Sequence, residues 1–182
     1  MASNTSEERK RRGAAQGIKA FGLLIGSAIA LLLASSFLAG TPGTAMATPG
    51  IGVSQTPVAS GVLPEPVRMK LKGEEGFGDG LEVSNVSIVK NIVAPGGFFG
   101  WHQHGGPSWI VVTQGTLTFY DGDDPTCTGH PVSAGNAYLD MGDHTHNARN
   151  ETTAPVENYV VRLLPAGGAT RIDMPNPGSC PF

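Results

Sequence analysis

The stretch Gly100-Trp101-His102-Gln103-His104-Gly105-Gly106-Pro107-Ser108 decides how this chain is read. Two histidines stand one residue apart in an aromatic-rich segment of strand character. In a strand, side chains at i and i+2 leave from the same face. His102 and His104 therefore point the same way, close enough to share one ion. On a helix the same spacing would splay them by about 200°. A third histidine, His146, lies in a later strand-like run, Thr145 to Arg149. The expectation is a small β-barrel with a three-histidine pocket.

The flanking sequence agrees with a β framework. The chain has 182 residues, with 26 Gly and 14 Pro, which suits a turn-rich all-β protein of one domain plus extensions. Val67 to Leu71 alternates apolar with basic residues, as an edge strand does. Leu81 to Val89 alternates as well, with Leu81, Val83 and, after a slip, Val86 facing in. Val93 to Gly97 reads as a turn. Trp109 to Thr113 and Thr116 to Tyr120 are β-branched and aromatic, and Gln114-Gly115 between them reads as a tight hairpin. Asp121 to Ala134 reads as a loop, Ala137 to Leu139 as a short strand, Asp140 to Asp143 as a turn, and Glu157 to Leu164 as a strong strand. No long helical period follows residue 40. Short strands separated by turn signals argue a sandwich or barrel.

The ends of the chain carry different signals. Arg9 to Arg12 and Lys19 are basic, Ala20 to Leu38 is apolar and uncharged, and Ala45-Met46-Ala47 offers small residues for cleavage. Residues 1–47 thus have the layout of a secretory signal. An uncleaved membrane anchor is the competing reading, since the apolar run is just long enough to span a bilayer; either way the domain is exported, to the cell envelope or beyond. Residues 48–66, rich in Pro, Gly, Ser, Thr and Val, read as a flexible linker. The barrel is expected over 67–174 and a C-terminal tail over 175–182. Without residues 1–47 the chain keeps 7 basic and 13 acidic side chains, a net charge of −6. An acidic domain with no basic stripe is a poor nucleic-acid binder. Cys127 and Cys180 are the two cysteines. In an oxidising compartment such a pair is expected to form a disulfide; two free thiols, or Cys127 as a ligand, are the alternatives.

The chain resembles the cupin superfamily, a jelly-roll barrel of two antiparallel sheets. The family's first motif runs Gly, five residues, His-x-His, three or four residues, Glu, six residues, Gly. Here Gly96, His102-Gln103-His104, Ser108 and Gly115 stand at those intervals, with Ser108 in the place of the Glu. In the second motif Gly135, His146 and Asn150 keep their spacing, while Met141 and Asp143 take the Pro and Gly positions and Gly142 comes one residue early. The resemblance covers about residues 67 to 165. It implies a divalent metal, iron, manganese, zinc, nickel or copper, held by His102, His104 and His146 but without the family's carboxylate. Three neutral imidazoles leave the ion its full charge and open positions. Such a site suits an anionic ligand, a bound water of lowered pKa, or dioxygen on iron. An apo pocket or packed polar core is the competing reading. Two functions follow: a non-catalytic metal or small-ligand module or a metalloenzyme of unknown substrate, and, as the alternative, an oxidoreductase like the three-histidine iron dioxygenases. By analogy with the family, a homodimer is the expected assembly, and only the N-terminal segment is expected to touch a membrane.

Other residues carry weaker signals. His144 shares the parity of His146 and is a substitute for the lost carboxylate or, by preference, a solvent-facing turn residue; Asp143 is a further option. His130 is expected to be exposed. Trp101 points away from the histidines, towards core or rim. Trp109, Phe119 and Tyr138 are expected to fill the barrel. Arg162, if inward, would meet an anionic ligand, whereas Arg149 has the wrong parity. Asp121, Asp123 and Asp124 read as a solvated turn, with no Glu to complete a calcium loop.

Overall fold

Alternating strands that bury one face can close into two facing antiparallel sheets, and the chain does so. The computed structural model describes residues 47–70 and 80–182. The proposed signal or anchor, and most of the turn expected from Gly73 to Gly80, lie outside these residues. Ten strands follow in order: β1 (Ile51–Met69), β2 (Leu81–Phe98), β3 (His102–Gln103), β4 (Ser108–Gln114), β5 (Thr116–Asp121), β6 (His130–Ser133), β7 (Ala137–Asp140), β8 (His146–Arg149), β9 (Val156–Leu164) and β10 (Ile172–Asp173). No helix among the described residues is long and apolar enough to cross a membrane.

One face of the barrel runs β1-β2-β9-β4-β7, and the other runs β10-β3-β8-β5-β6. The two join where Phe98 of β2 pairs Arg149 of β8. The strand β9 shows the plainest alternation: Val156, Asn158, Val160, Arg162 and Leu164 are buried and the residues between them are half-buried. Val89, Val93, Ile110, Val112, Leu117, Phe119, Ala148, Val156 and Val160 make the main core. A smaller cluster of Trp101, Tyr120 and Cys180 packs below, with Phe182 stacked on Trp101 at 6.3 Å between ring centroids.

Three local expectations are corrected. Gln114-Gly115 is not a hairpin: β4 pairs β7 and β9, while β5 pairs β6 and β8. Gly115, at φ 76°, turns a corner from one sheet to the other, and a Cβ there would sit 2.9 Å from Val156. A β-carbon is poorly tolerated in that conformation. Residues 51–69, most of them expected as linker, form β1, laid antiparallel along β2. Its side chains are almost all exposed, so a backbone ladder rather than an apolar period holds it. Pro57 and Pro64 fall where the register shifts, and prolines are confined to such edge positions. The turn expected at Val93–Gly97 is a bulge inside β2, between the pairs Val53↔Val93 and Ile51↔Phe98. Asn150 clasps it, exchanging backbone bonds with Gly96 and Gly97 and donating Nδ2 to the Val93 carbonyl at 2.9 Å.

Smaller departures follow the same ladders. Part of the Asp121–Ala134 loop is β6, which pairs β5. On β2 Val83, Ser84, Val89, Asn91 and Val93 are buried, whereas Val86 is only half-buried. Trp109 faces outward and half-buried, whereas Phe119 and Tyr138 stack inside at 4.0 Å.

Candidate metal centre

Strand pairing builds the site. His102 of β3 stands directly opposite His146 of β8. Opposed residues present their side chains on one face, and the two ring centroids are 4.3 Å apart. His104, two residues beyond His102, leaves on the same side, with centroids 4.8 Å from His102 and 5.2 Å from His146. All three rings are buried. One ligand atom from each lies within 4.8 Å of the others. That is close to the roughly 4 Å spanned by two metal–nitrogen bonds of about 2.1 Å.

The backbone fixes which nitrogens face one another. Nδ1 of His102 donates to the Gly100 carbonyl at 2.8 Å, Nδ1 of His104 to the Thr170 carbonyl at 2.6 Å, and Nδ1 of His146 to the His144 carbonyl at 3.1 Å. A neutral imidazole with its proton on Nδ1 presents a lone pair at Nε2. Gly100 makes the first of these bonds at φ 77°, with an added Cβ falling 2.0 Å from the Thr48 carbonyl; no other residue fits there without displacing the carbonyl that holds His102.

Burial keeps His102 and His104 neutral. Desolvation, followed by the neighbouring His146 and His104, holds His102 well below the usual histidine range. Desolvation, with His146 and Arg162 next, brings His104 down to about 3. Three lone pairs thus converge in a space shielded from water. A divalent cation satisfies them all, so the donor set fits a metal.

A carboxylate that the sequence did not point to joins them. Asp140 was placed in a turn, yet it ends β7 and is only 5% exposed. Its Oδ2 lies 3.4 Å from Nε2 of His104 and 3.5 Å from Nε2 of His146. Its Oδ1 accepts the Gly142 amide at 2.9 Å, which aims Oδ2 at the rings. Desolvation raises the Asp140 carboxyl above its ordinary range. The available signal was parity: Asp140 shares the face of Tyr138, which stacks on Phe119 inside the barrel. Ser108, in the position of the family's Glu, is fully buried and pairs Asp140 across the ladder.

A cavity of about 30 Å³ adjoins the three rings and is walled by Ile110, Leu117, Phe119 and Val160. That is room for an ion with water, or for a very small ligand. Asn158 and Arg162 line the same cavity, and their Nδ2 and Nε atoms have no hydrogen-bond partner among the described residues. Beyond Asp140 and His146 a larger cavity of about 280 Å³ is bordered by Asp121, Asp123 and His144. Asp121 is thus part of a cavity wall rather than only a solvated turn. Asp124 does act as a turn residue, accepting the amides of Thr126 and Thr128.

The remaining candidates fall outside the cluster. His144 is exposed beside Asp143 at 3.4 Å, and His130 is exposed 4.0 Å from Asp121. Arg149 points the other way, with its guanidinium 3.8 Å from the Phe182 ring centroid. Cys127 and Cys180 are joined in a disulfide, Cα–Cα 5.2 Å apart. Such bonds form and persist mostly in oxidising compartments.

Residues 91–162 match the family model described as Cupin domain. No curated protein matches the chain. Among solved structures, the chain is similar to a conserved protein of unknown function from Streptococcus pyogenes, 14% identical, covering 44% of this chain and 65% of that one, TM-score 0.38. It therefore spans somewhat under two thirds of that protein. It is also similar to the Cupin_2 domain of an XRE family transcriptional regulator from Enterobacter cloacae, at 18% identity, 63% and 98% coverage and TM-score 0.41. A third is the polyketide cyclase RemF from Streptomyces resistomycificus, at 14% identity, 70% and 77% coverage and TM-score 0.46. Both histidine motifs lie inside the matched segment, so residues 91–162 carry a cupin domain.

Proposed function

We propose that this protein is an exported cupin-domain module that binds one divalent metal ion through His102, His104 and His146. The observation that carries the reading is the convergence of three buried Nε2 lone pairs, each fixed by an Nδ1 bond to a backbone carbonyl. A bound divalent ion would supply Lewis acidity to a water or small ligand beside it. The chain's own contribution is to orient the rings, exclude bulk water and offer two unpartnered donors, Asn158 Nδ2 and Arg162 Nε. Those donors support a small ligand bearing acceptor oxygens. The disulfide supports export.

A second reading is an oxidoreductase of the three-histidine iron type. The neutral Ser108 in place of a Glu and the apolar cavity wall favour it. Metal analysis of natively produced protein separates the readings. Near-stoichiometric metal in the wild type, lost in both His102→Ala and His146→Ala, is expected. Iron with oxygen uptake on a screened substrate would mark the enzyme. Wild type without metal after incubation with each of the first-row divalent ions contradicts both.

A further inference from the structure

Asp140 poses a problem that three histidines alone do not solve. Its Oδ2 is buried without a hydrogen-bond partner among the described residues. The nearest polar atoms are Nε2 of His104 and His146 at 3.4 and 3.5 Å. With their protons on Nδ1, both nitrogens offer lone pairs, not donors. A carboxylate oxygen held against two lone pairs away from water is electrostatically adverse. A cation at the point they share converts that repulsion into coordination.

We propose that Asp140 Oδ2 is a fourth protein ligand to the metal, so that the site is three histidines and one carboxylate. The inference rests on the metal reading above and deepens it. The sequence holds Ser108 where the first motif would supply its acid. Register places Ser108 between Asp140 on β7 and Arg162 on β9. The negative charge has moved one strand sideways on the same sheet face. The bond from the Gly142 amide to Oδ1 leaves only Oδ2 for the ion, which makes the carboxylate a one-oxygen ligand. The larger cavity meets the site at Asp140 and His146, and its Asp121 and Asp123 give a cation a favourable approach.

Four protein ligands leave fewer open positions than three. This weighs toward the binding module and against the three-histidine oxygenase. The charge also selects the ion, since a carboxylate beside imidazoles suits zinc, manganese or iron(II) better than the soft copper(I).

Cobalt(II) is the probe, because its visible bands report coordination number and donor type. The full chain is titrated with cobalt(II) alone, followed by calorimetry and absorption. The wild type should bind one equivalent. Asp140→Asn should bind on the order of 100-fold more weakly, the upper end of what even outer-shell partners cost, with a changed visible spectrum. Asp140→Glu should retain binding with shifted bands, because a carboxylate still reaches the ion. If Asp140→Asn binds with unchanged affinity and spectrum while His102→Ala and His146→Ala lose cobalt, the carboxylate is not a ligand, and this inference is overturned with the three-histidine site intact. If the wild type binds no cobalt, the metal reading itself fails. Should Asp140→Asn not fold, Asp140→Glu decides: unshifted bands overturn the proposal.

Discussion

His102 and His104 were legible from the sequence because period-2 geometry needs no knowledge of the fold. His146 was legible from motif spacing. Asp140 was not. In Asp140-Met141-Gly142-Asp143 an acid reads as turn chemistry, and its inward direction depends on which strand β7 pairs. The buried rings give a pH dependence with a definite sign. His102 and His104 are held below the ordinary histidine value of 6.5, His104 at about 3. The unfolded chain therefore binds protons that the folded chain refuses. Their stabilising contribution is present above about 6.5 and lost as pH falls towards 3, by up to about 1.4 kcal/mol per unit for each ring. Asp140, raised by burial, works the opposite way, its contribution being lost as pH rises. Urea unfolding of metal-free protein at a series of pH values should show stability falling below pH 6.5, more steeply in Asp140→Asn. A flat profile in both proteins would mean that the rings are protonated or open to water.

Strands were found from alternation where a face is buried, as in β9, and missed where the backbone alone holds them. The strand β1 has no inward period because it lies on an edge, and β10 is two residues paired to β3. The corner at Gly115 has the residues of a hairpin, and only the partners of β4 and β5 reveal two sheets. The disulfide was foreseen from compartment chemistry, and the structure gives it a purpose. Asp124 pins the amides flanking Cys127, and Cys180 brings Phe182 onto Trp101 and Arg149. Closing a sequence separation of 53 residues is worth about 4 kcal/mol in the chain-entropy picture. Cys180→Ser should lower the urea midpoint accordingly while leaving cobalt affinity within a few-fold, because the bridge lies among β5, β6 and the tail rather than at the rings. An unchanged midpoint would show that the bond constrains nothing.

The described residues form a two-sheet barrel whose interior holds both apolar and polar side chains. Leu117 and Phe119 of the apolar core line one cavity with the three histidines and Arg162. The three buried rings, with donors left unpartnered among the described residues, fit a divalent metal ion. The export signal, the ligand and the homodimer expected by family analogy stay as proposals beside that chemistry. The most direct measurement is a crystal structure of metal-soaked protein, with the ion located by its anomalous scattering. The expected result is one ion about 2.0–2.2 Å from Nε2 of His102, His104 and His146. An ion bound elsewhere with the three rings left bare, or ligated through Nδ1 with the backbone carbonyl bonds broken, would contradict it.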